Sequence, residues 1–198
     1  MPAVKSRREE NVDATRDALL ASALELFAGK GFAATSLDDV ATAARVTKGA
    51  LYHHFPGGKA TLFEAVFEAV DADLGERIAR AIPTGATAWE VVHRGLDAYL
   101  ETCTDPVVRR IVFQEGPAVL GTARWREGCH SRDLLRASLE GLVASGDLRP
   151  QPMALLTQVL WSALGEAGIA VAEAEDPAAA QAEVRALVLD LLRGLSTT

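Results

Sequence analysis

Apolar residues recur at three- and four-residue intervals along almost the whole chain, the period of α-helices with one buried side. Leu20, Ala23, Leu24 and Phe27 form a first stripe that stops at Gly29 and Gly31, a helix-end signal. Ser36 then reads as an N-cap with Asp39 as its capping-box partner, ahead of Leu37, Val40, Ala41 and Ala44 on the inward side. Thr47 caps a shorter helix whose inward residues are Leu51 and Phe55. After Pro56-Gly57-Gly58 comes a long stripe of Leu62, Phe63, Val66, Phe67, Val70, Leu74 and Ile78. Trp89, Val92, His93, Leu96, Leu100 and Cys103 share the next face, and Asp105-Pro106 starts another helix. Residues 114–131, with three glycines and a proline, read as irregular or broken. Three further stripes close the chain, on residues 134–143, 156–167 and 184–195. No alternating strand pattern appears, so the expected fold is all-α with about nine helices. A small amino-terminal unit (1–58) would be joined to a larger bundle (59–198).

The window 35–55, TSLDDVATAARVTKGALYHHF, holds two short helices either side of a tight turn at Ala44-Arg45-Val46. That spacing is a helix-turn-helix, in which the second helix enters the major groove of duplex DNA. With Leu51 and Phe55 inward, Lys48, Gly49, Tyr52 and His53 are left outside. Lys48 can donate to guanine, Gly49 and Ala50 let the backbone approach the groove, and Tyr52 and His53 suit phosphates. Ser36 and Lys59 stand at helix starts, where free N–H groups attract phosphate. His53 and His54 point about 100° apart, so only one of them can contact DNA well.

Charge changes the picture only by its distribution. The chain of 198 residues has a formal net charge of −7. Residues 1–63 carry eight Lys/Arg and seven Asp/Glu, so the acidity resides in the rest. An acidic protein meets nucleic acid only if its positive charge is concentrated on one face, and the near-neutral amino-terminal third permits that. Lys5, Arg7 and Arg8 are followed at once by Glu9 and Glu10, the pattern of a solvated end. Hydrophobic residues at 49% and charged ones at 24% fit a globular chain. With two cysteines (Cys103 and Cys129), no CxxC pair and no secretion-signal pattern, the expected location is cytoplasmic.

The residues of this window resemble the TetR family of transcriptional regulators. Phe27, Gly29, Gly31 and Phe32 close helix one, followed by Thr35-Ser36, Asp39-Val40-Ala41, Lys48 to Phe55, Lys59 and Leu62-Phe63. The resemblance is close over about residues 12–68. It implies DNA contacts from Thr35, Ser36, Thr47, Lys48, Gly49, Ala50, Tyr52, His53 and Lys59. Arg45 stands where the family often has glycine, so the turn is either strained or different. The Pro56–Lys59 loop is one residue longer than the commoner form, and Ala60 replaces a frequent acidic residue.

Other chemistries fit less well. Gly29-x-Gly31-x-x-Ala34 follows a helix where a nucleotide fingerprint needs a strand, and Gly58-Lys59-Ala60 lacks the hydroxyl that holds magnesium. Glu90/His93 and Glu127/His130 form two Glu-x-x-His pairs, so a di-iron helical enzyme is the alternative to weigh. No cofactor or metal is otherwise expected.

For the larger unit, the resemblance implies two-fold pairing through the last two helices, with Leu156, Leu160, Ala163, Leu164, Ala167, Val184, Leu187, Val188 and Leu191 at the interface. Trp89, His93, Tyr99, Cys103, Phe113, Trp125 and Trp161 are candidates for a small-molecule pocket, although His93 also reads as a hydrogen-bonded core residue. A homodimeric repressor is expected, released from a palindromic operator by a largely apolar or aromatic ligand. An activator, or a regulator that senses nothing, shares the same features.

Overall fold

The structure, a computed structural model, describes residues 7–127 and 130–197, with side chains from residue 12 onward except that of His130. The described residues form helices joined by turns and short loops, with no strand and a single antiparallel bridge between Leu148 and Ser196. They group into two compact units, 1–68 and 69–198. The division falls inside a helix, α4, and lies ten residues beyond the 58/59 boundary drawn from the sequence.

The amino-terminal unit contains α1 (Arg7–Lys30), α2 (Leu37–Ala43), α3 (Lys48–His54) and the first half of α4 (Lys59–Ala81). Leu19, Ala23 and Phe27 are fully buried on α1, so its stripe sits one residue earlier than the Leu20/Leu24 expectation, both of which are half-buried. α1 ends where Gly31 takes φ +85° and its N–H returns to the Phe27 carbonyl at 2.9 Å. Phe27, Phe32 and Phe63 then meet in a ring cluster with centroids 5.3–5.8 Å apart. Pairs at such separations contribute about 0.5–1.5 kcal/mol each beyond the area they bury. α2 packs on both α1 and α3. The long stripe of α4 is inward from Leu62 to Ile78, as its period demands.

The turn between α2 and α3 is strained, not rebuilt. Arg45 has φ +57°, the only positive φ at a non-glycine among the described residues. A residue with a Cβ pays about 1–2 kcal/mol there. Glycine would relieve that, less the larger freedom it loses on folding, about 0.5–1 kcal/mol. Arg45→Gly is therefore expected to stabilise the amino-terminal unit by about 1 kcal/mol, read as a higher denaturant midpoint at constant slope.

The second unit is built from the rest of α4, α5 (Ala88–Thr102), the broken run 106–127, α9 (His130–Ala144), α10 (Met153–Glu173) and α11 (Pro177–Arg193). With that run taken as one, the described residues hold nine helical elements. Asp105 caps the run, accepting from the Val107 and Val108 amides, with Pro106 next. Burial works to raise the Asp105 pKa, but Arg77 at 2.9 Å and the two amides outweigh it and hold the carboxyl below its ordinary value. The run comprises α6 (Pro106–Val108), a π-helical segment Arg109–Glu115, α7 (Gly116–Leu120) and α8 (Thr122–Glu127). Irregularity thus begins five residues before the expected position 114, because the wider turn starts at Arg109. A π-turn leaves carbonyls off the usual ladder. That of Val112 is taken by the Trp125 indole N–H at 2.8 Å.

Candidate nucleic-acid interface

Both short helices of the amino-terminal unit are capped from within their own sequence. Ser36 Oγ accepts the Asp39 N–H at 3.1 Å while the Asp39 carboxylate accepts the Ser36 N–H at 3.1 Å, a complete capping box. Those bonds to Ser36 hold the Asp39 carboxyl below its ordinary pKa. Thr47 Oγ1 accepts the Ala50 N–H at 3.2 Å at the start of α3. In each cap the hydroxyl serves as acceptor, which leaves its own hydrogen to donate outward.

Of the seven residues of α3, only Leu51 is fully buried, and Phe55 just beyond it is 2% exposed. Lys48, Gly49, Tyr52 and His53 are exposed, and Ala50 and His54 are half-buried. His53 and His54 are edge to face at 5.5 Å. Tyr52 shows 44% of its surface, large for an aromatic with no core role. A Cβ added at Gly49 would meet nothing closer than Thr47 Oγ1 at 3.9 Å, and Gly49 has no positive φ. Neither backbone nor packing inside the unit requires a glycine at that position.

Three side chains have partners that sequence reasoning did not foresee. Lys48 Nζ lies 2.7 Å from the Asp38 carboxylate, whose hydrogen bond and charge raise the lysine pKa. Lys59 donates to the Ala33 carbonyl at 3.3 Å and lies 4.4 Å from the Phe32 ring centroid, tying the start of α4 to the end of α1. Thr35 is a correction. It is 1% exposed, and its hydroxyl is bonded to the Gly31 carbonyl at 2.8 Å, so its side chain cannot reach a duplex.

The second unit contains a partly open cavity of about 70 Å³ between α4, α5, α9, α10 and α11. Its wall is aliphatic, with Ile78, Leu96, Leu134, Leu139, Leu160 and Leu192 among its residues, and no charged side chain lines it. The polar groups on the wall already donate within the chain. Tyr99 donates to the Leu164 carbonyl at 2.7 Å, Ser131 to Asp71 at 3.0 Å, Ser138 to Leu134 at 2.8 Å and Trp161 to Arg126 at 2.7 Å.

The sequence matches two family descriptions. "Bacterial regulatory proteins, tetR family" covers residues 19–66, and "Tetracyclin repressor-like, C-terminal domain" covers residues 89–195. A TetR-family regulator from Pectobacterium atrosepticum is 35% identical, covering 98% of this chain and 99% of its own, with a TM-score of 0.81. The chain belongs to the TetR family of transcriptional regulators. The Tn10 TetC protein of Escherichia coli is 32% identical over 127 residues, which is 62% of this chain and 60% of that relative. RolR, solved in complex with resorcinol, shares the fold at 21% identity and a TM-score of 0.68, over 93% of this chain and 90% of that one.

Within this TetR-family chain the seven pocket candidates separate. Tyr99 and Trp161 line the cavity; Trp89, His93, Cys103, Phe113 and Trp125 do not. Cys103 is buried with its thiol directed at the Tyr99 carbonyl, and burial pushes its pKa up to about 12, so it is no nucleophile near neutrality. Burial likewise raises Tyr99 well above an ordinary phenol. Phe113 packs edge to face on Tyr99 at 6.5 Å, and Trp125 serves the π-turn. His93 faces Trp89 at 5.8 Å, and its buried Nε2 has no hydrogen-bond partner, against the expectation of a bonded core residue. The wall is mostly aliphatic, so aromatic side chains are a poor guide to it. Leu134, Leu135 and Leu139 on α9 are the sequence signal for it.

The dimer candidates separate too. Leu187 and Leu191 are 61% and 53% exposed, and Ala163 is exposed. Leu156, Ala167, Val184 and Val188 are half-buried. Leu160 and Leu164 are corrections, since both are buried in their own chain and line the cavity. The residues that do face out beside them are Leu155 at 61% and Val159 at 57%.

The alternative metal site also meets the structure. Glu90 Oε2 accepts from both the N–H and the hydroxyl of Thr87 at 2.8 Å, closing the capping box of α5; these bonds hold its pKa below the ordinary value. Glu127 is exposed at the end of α8. The His130 side chain lies outside the described residues, as do Lys5, Cys129 and the side chains of Arg7 and Arg8.

Proposed function

We propose that the protein is a homodimeric repressor that reads a palindromic operator through two copies of α3 and leaves it when a small apolar molecule enters the carboxy-terminal unit. The observation that carries DNA reading is the outer face of α3. Lys48, Gly49 and Tyr52 project from a helix anchored by Leu51 and Phe55, and the glycine serves no internal need. Lys48, Gly49 and Ala50 would meet base edges, while Ser36, Thr47, Tyr52 and His53 would hold phosphates. Lys59 would do so only by leaving Ala33 and Phe32. Selection from randomised duplexes is expected to return an inverted repeat with half-sites about one helical turn apart. Recovery of no repeat at low salt would overturn the reading.

Pairing is supported by what α10 and α11 leave uncovered. α10 is long and apolar enough to cross a membrane, with mean hydropathy 1.4 over its best window, yet only 28% of that window is buried. Leu155 and Val159 lie one turn apart on α10, as do Leu187 and Leu191 on α11, and the two helices pack together. Four large apolar side chains at that exposure call for a cover, and a second copy gives a closed four-helix contact. Burying what remains exposed of each would contribute about 1–2 kcal/mol. Leu187→Asp is expected to yield a folded monomer by sedimentation at micromolar concentration, with operator binding lost in parallel. A dimer of unchanged stability would remove this face from the interface.

The cavity wall supports an uncharged, largely apolar effector. α4 contributes Ile78 and Ile82 to that wall and begins at Lys59 in the amino-terminal unit. A ligand that favours one arrangement of α4 thereby favours one spacing of the paired reading helices, and a coupling of about 3 kcal/mol gives roughly a hundredfold release.

A further inference from the structure

We infer that Asp38 is a specificity-determining residue, and that it reads one G·C pair in the major groove together with Lys48. This rests on the proposal that α3 lies in that groove. Asp38 has no part in the cap of α2, where Ser36 and Asp39 bond each other. Its partner is Lys48, the first residue of α3, at 2.7 Å, and both side chains remain well exposed at 67% and 58%. The contact therefore stands at the edge from which α3 begins. A carboxylate turned toward a polyanion is a liability unless it meets a donor.

The major-groove edge of G·C offers that donor beside two acceptors. Guanine presents N7 and O6, and its paired cytosine presents the N4 amino group. O6 and N4 are themselves hydrogen-bonded, so they are about 2.9 Å apart. An ammonium and a carboxylate 2.7 Å apart match that spacing. Lys48 spans N7 and O6 while Asp38 accepts from N4, and the ion pair stays intact across the base pair. With adenine in guanine's place the ammonium would face the N6 amino group and the carboxylate would face thymine O4. With thymine there the ammonium keeps O4 but loses N7, and the carboxylate meets adenine N7 beside N6. Both orientations are disfavoured, the first more strongly. Asp38 also fixes which strand carries the guanine. A lysine alone, a flexible point charge, does not.

The test is selection from randomised duplexes by wild type and Asp38→Ala, followed by titration on the wild-type consensus and on single-pair variants. Wild type is expected to return one invariant G·C per half-site, with A·T at that pair costing about tenfold or more in affinity. In Asp38→Ala that position is expected to become degenerate, the penalty falling below about threefold, while affinity for scrambled duplex is undiminished because a negative charge has gone. Lys48→Ala is expected to relax the same pair, and the double variant to add nothing to it. An unchanged consensus, an equal loss on all sequences, or A·T at the coupled position would each overturn the inference. Failure of wild type to enrich any repeat would instead overturn the proposed function. Thermal unfolding of both variants separates a reading defect from a folding one.

Discussion

Gly49→Leu is expected to leave the amino-terminal unit folded and to lower operator affinity about a hundredfold. The helix itself gains, since glycine costs up to about 1 kcal/mol relative to good helix formers, a Cβ there meets nothing closer than Thr47 Oγ1 at 3.9 Å, and the position is exposed. In the proposed complex the same side chain would occupy the space through which the backbone of α3 approaches the bases. Holding α3 off forfeits the contacts of Lys48 and its neighbours. At about 1–3 kcal/mol for each good base pairing, two lost pairings amount to roughly a hundredfold. Residual binding is expected to be non-specific, with its salt dependence preserved. Full operator affinity in a folded Gly49→Leu protein would mean that some other face meets DNA.

Gly168→Val is expected to destabilise the carboxy-terminal unit by about 3 kcal/mol, lowering its thermal midpoint by about 10 °C. A Cβ at that position would lie 2.5 and 2.7 Å from the Phe113 ring and 2.6 Å from the Tyr99 hydroxyl. Neither neighbour can retreat cheaply. Tyr99 is held to the Leu164 carbonyl at 2.7 Å, and Phe113 is 4% exposed in the π-helical segment that packs on α10. Gly141 is the contrast, a glycine in the last turn of α9 at which an added Cβ would meet nothing within 4 Å. Gly141→Ala is expected to stabilise by up to about 1 kcal/mol. If the two substitutions behaved alike in thermal melts, the close packing at Gly168 would be refuted.

What was legible in the sequence is what depends on neighbours along the chain. The Ser36/Asp39 box, the Thr47 cap and the stripe from Leu62 to Ile78 follow from spacing alone, and each is present. α10 shows where spacing stops informing. Apolar or small residues run almost all round it, so 156/160/164 and 155/159/163 are equally good stripes, and only α9 and the cavity decide that Leu160 and Leu164 turn inward. The family resemblance implies an outward Thr35, yet its hydroxyl is bonded to the Gly31 carbonyl, a partner supplied by the chain's reversal after α1. The π-helical turn has no residue signature at all. Its stabilising bond comes from Trp125, thirteen positions away from Val112.

The cavity wall has a calorimetric consequence. Every hydroxyl and indole hydrogen on it is already committed within the chain, and no ionised side chain borders it. A guest would exchange little besides dispersion contacts and displaced solvent, so its uptake would be marked by a negative heat-capacity change. It would also be nearly indifferent to buffer acidity and to added electrolyte, whereas docking on a polyanion is steeply sensitive to electrolyte. Varying potassium chloride at constant guest concentration would then tune one of the two equilibria while leaving the other at rest.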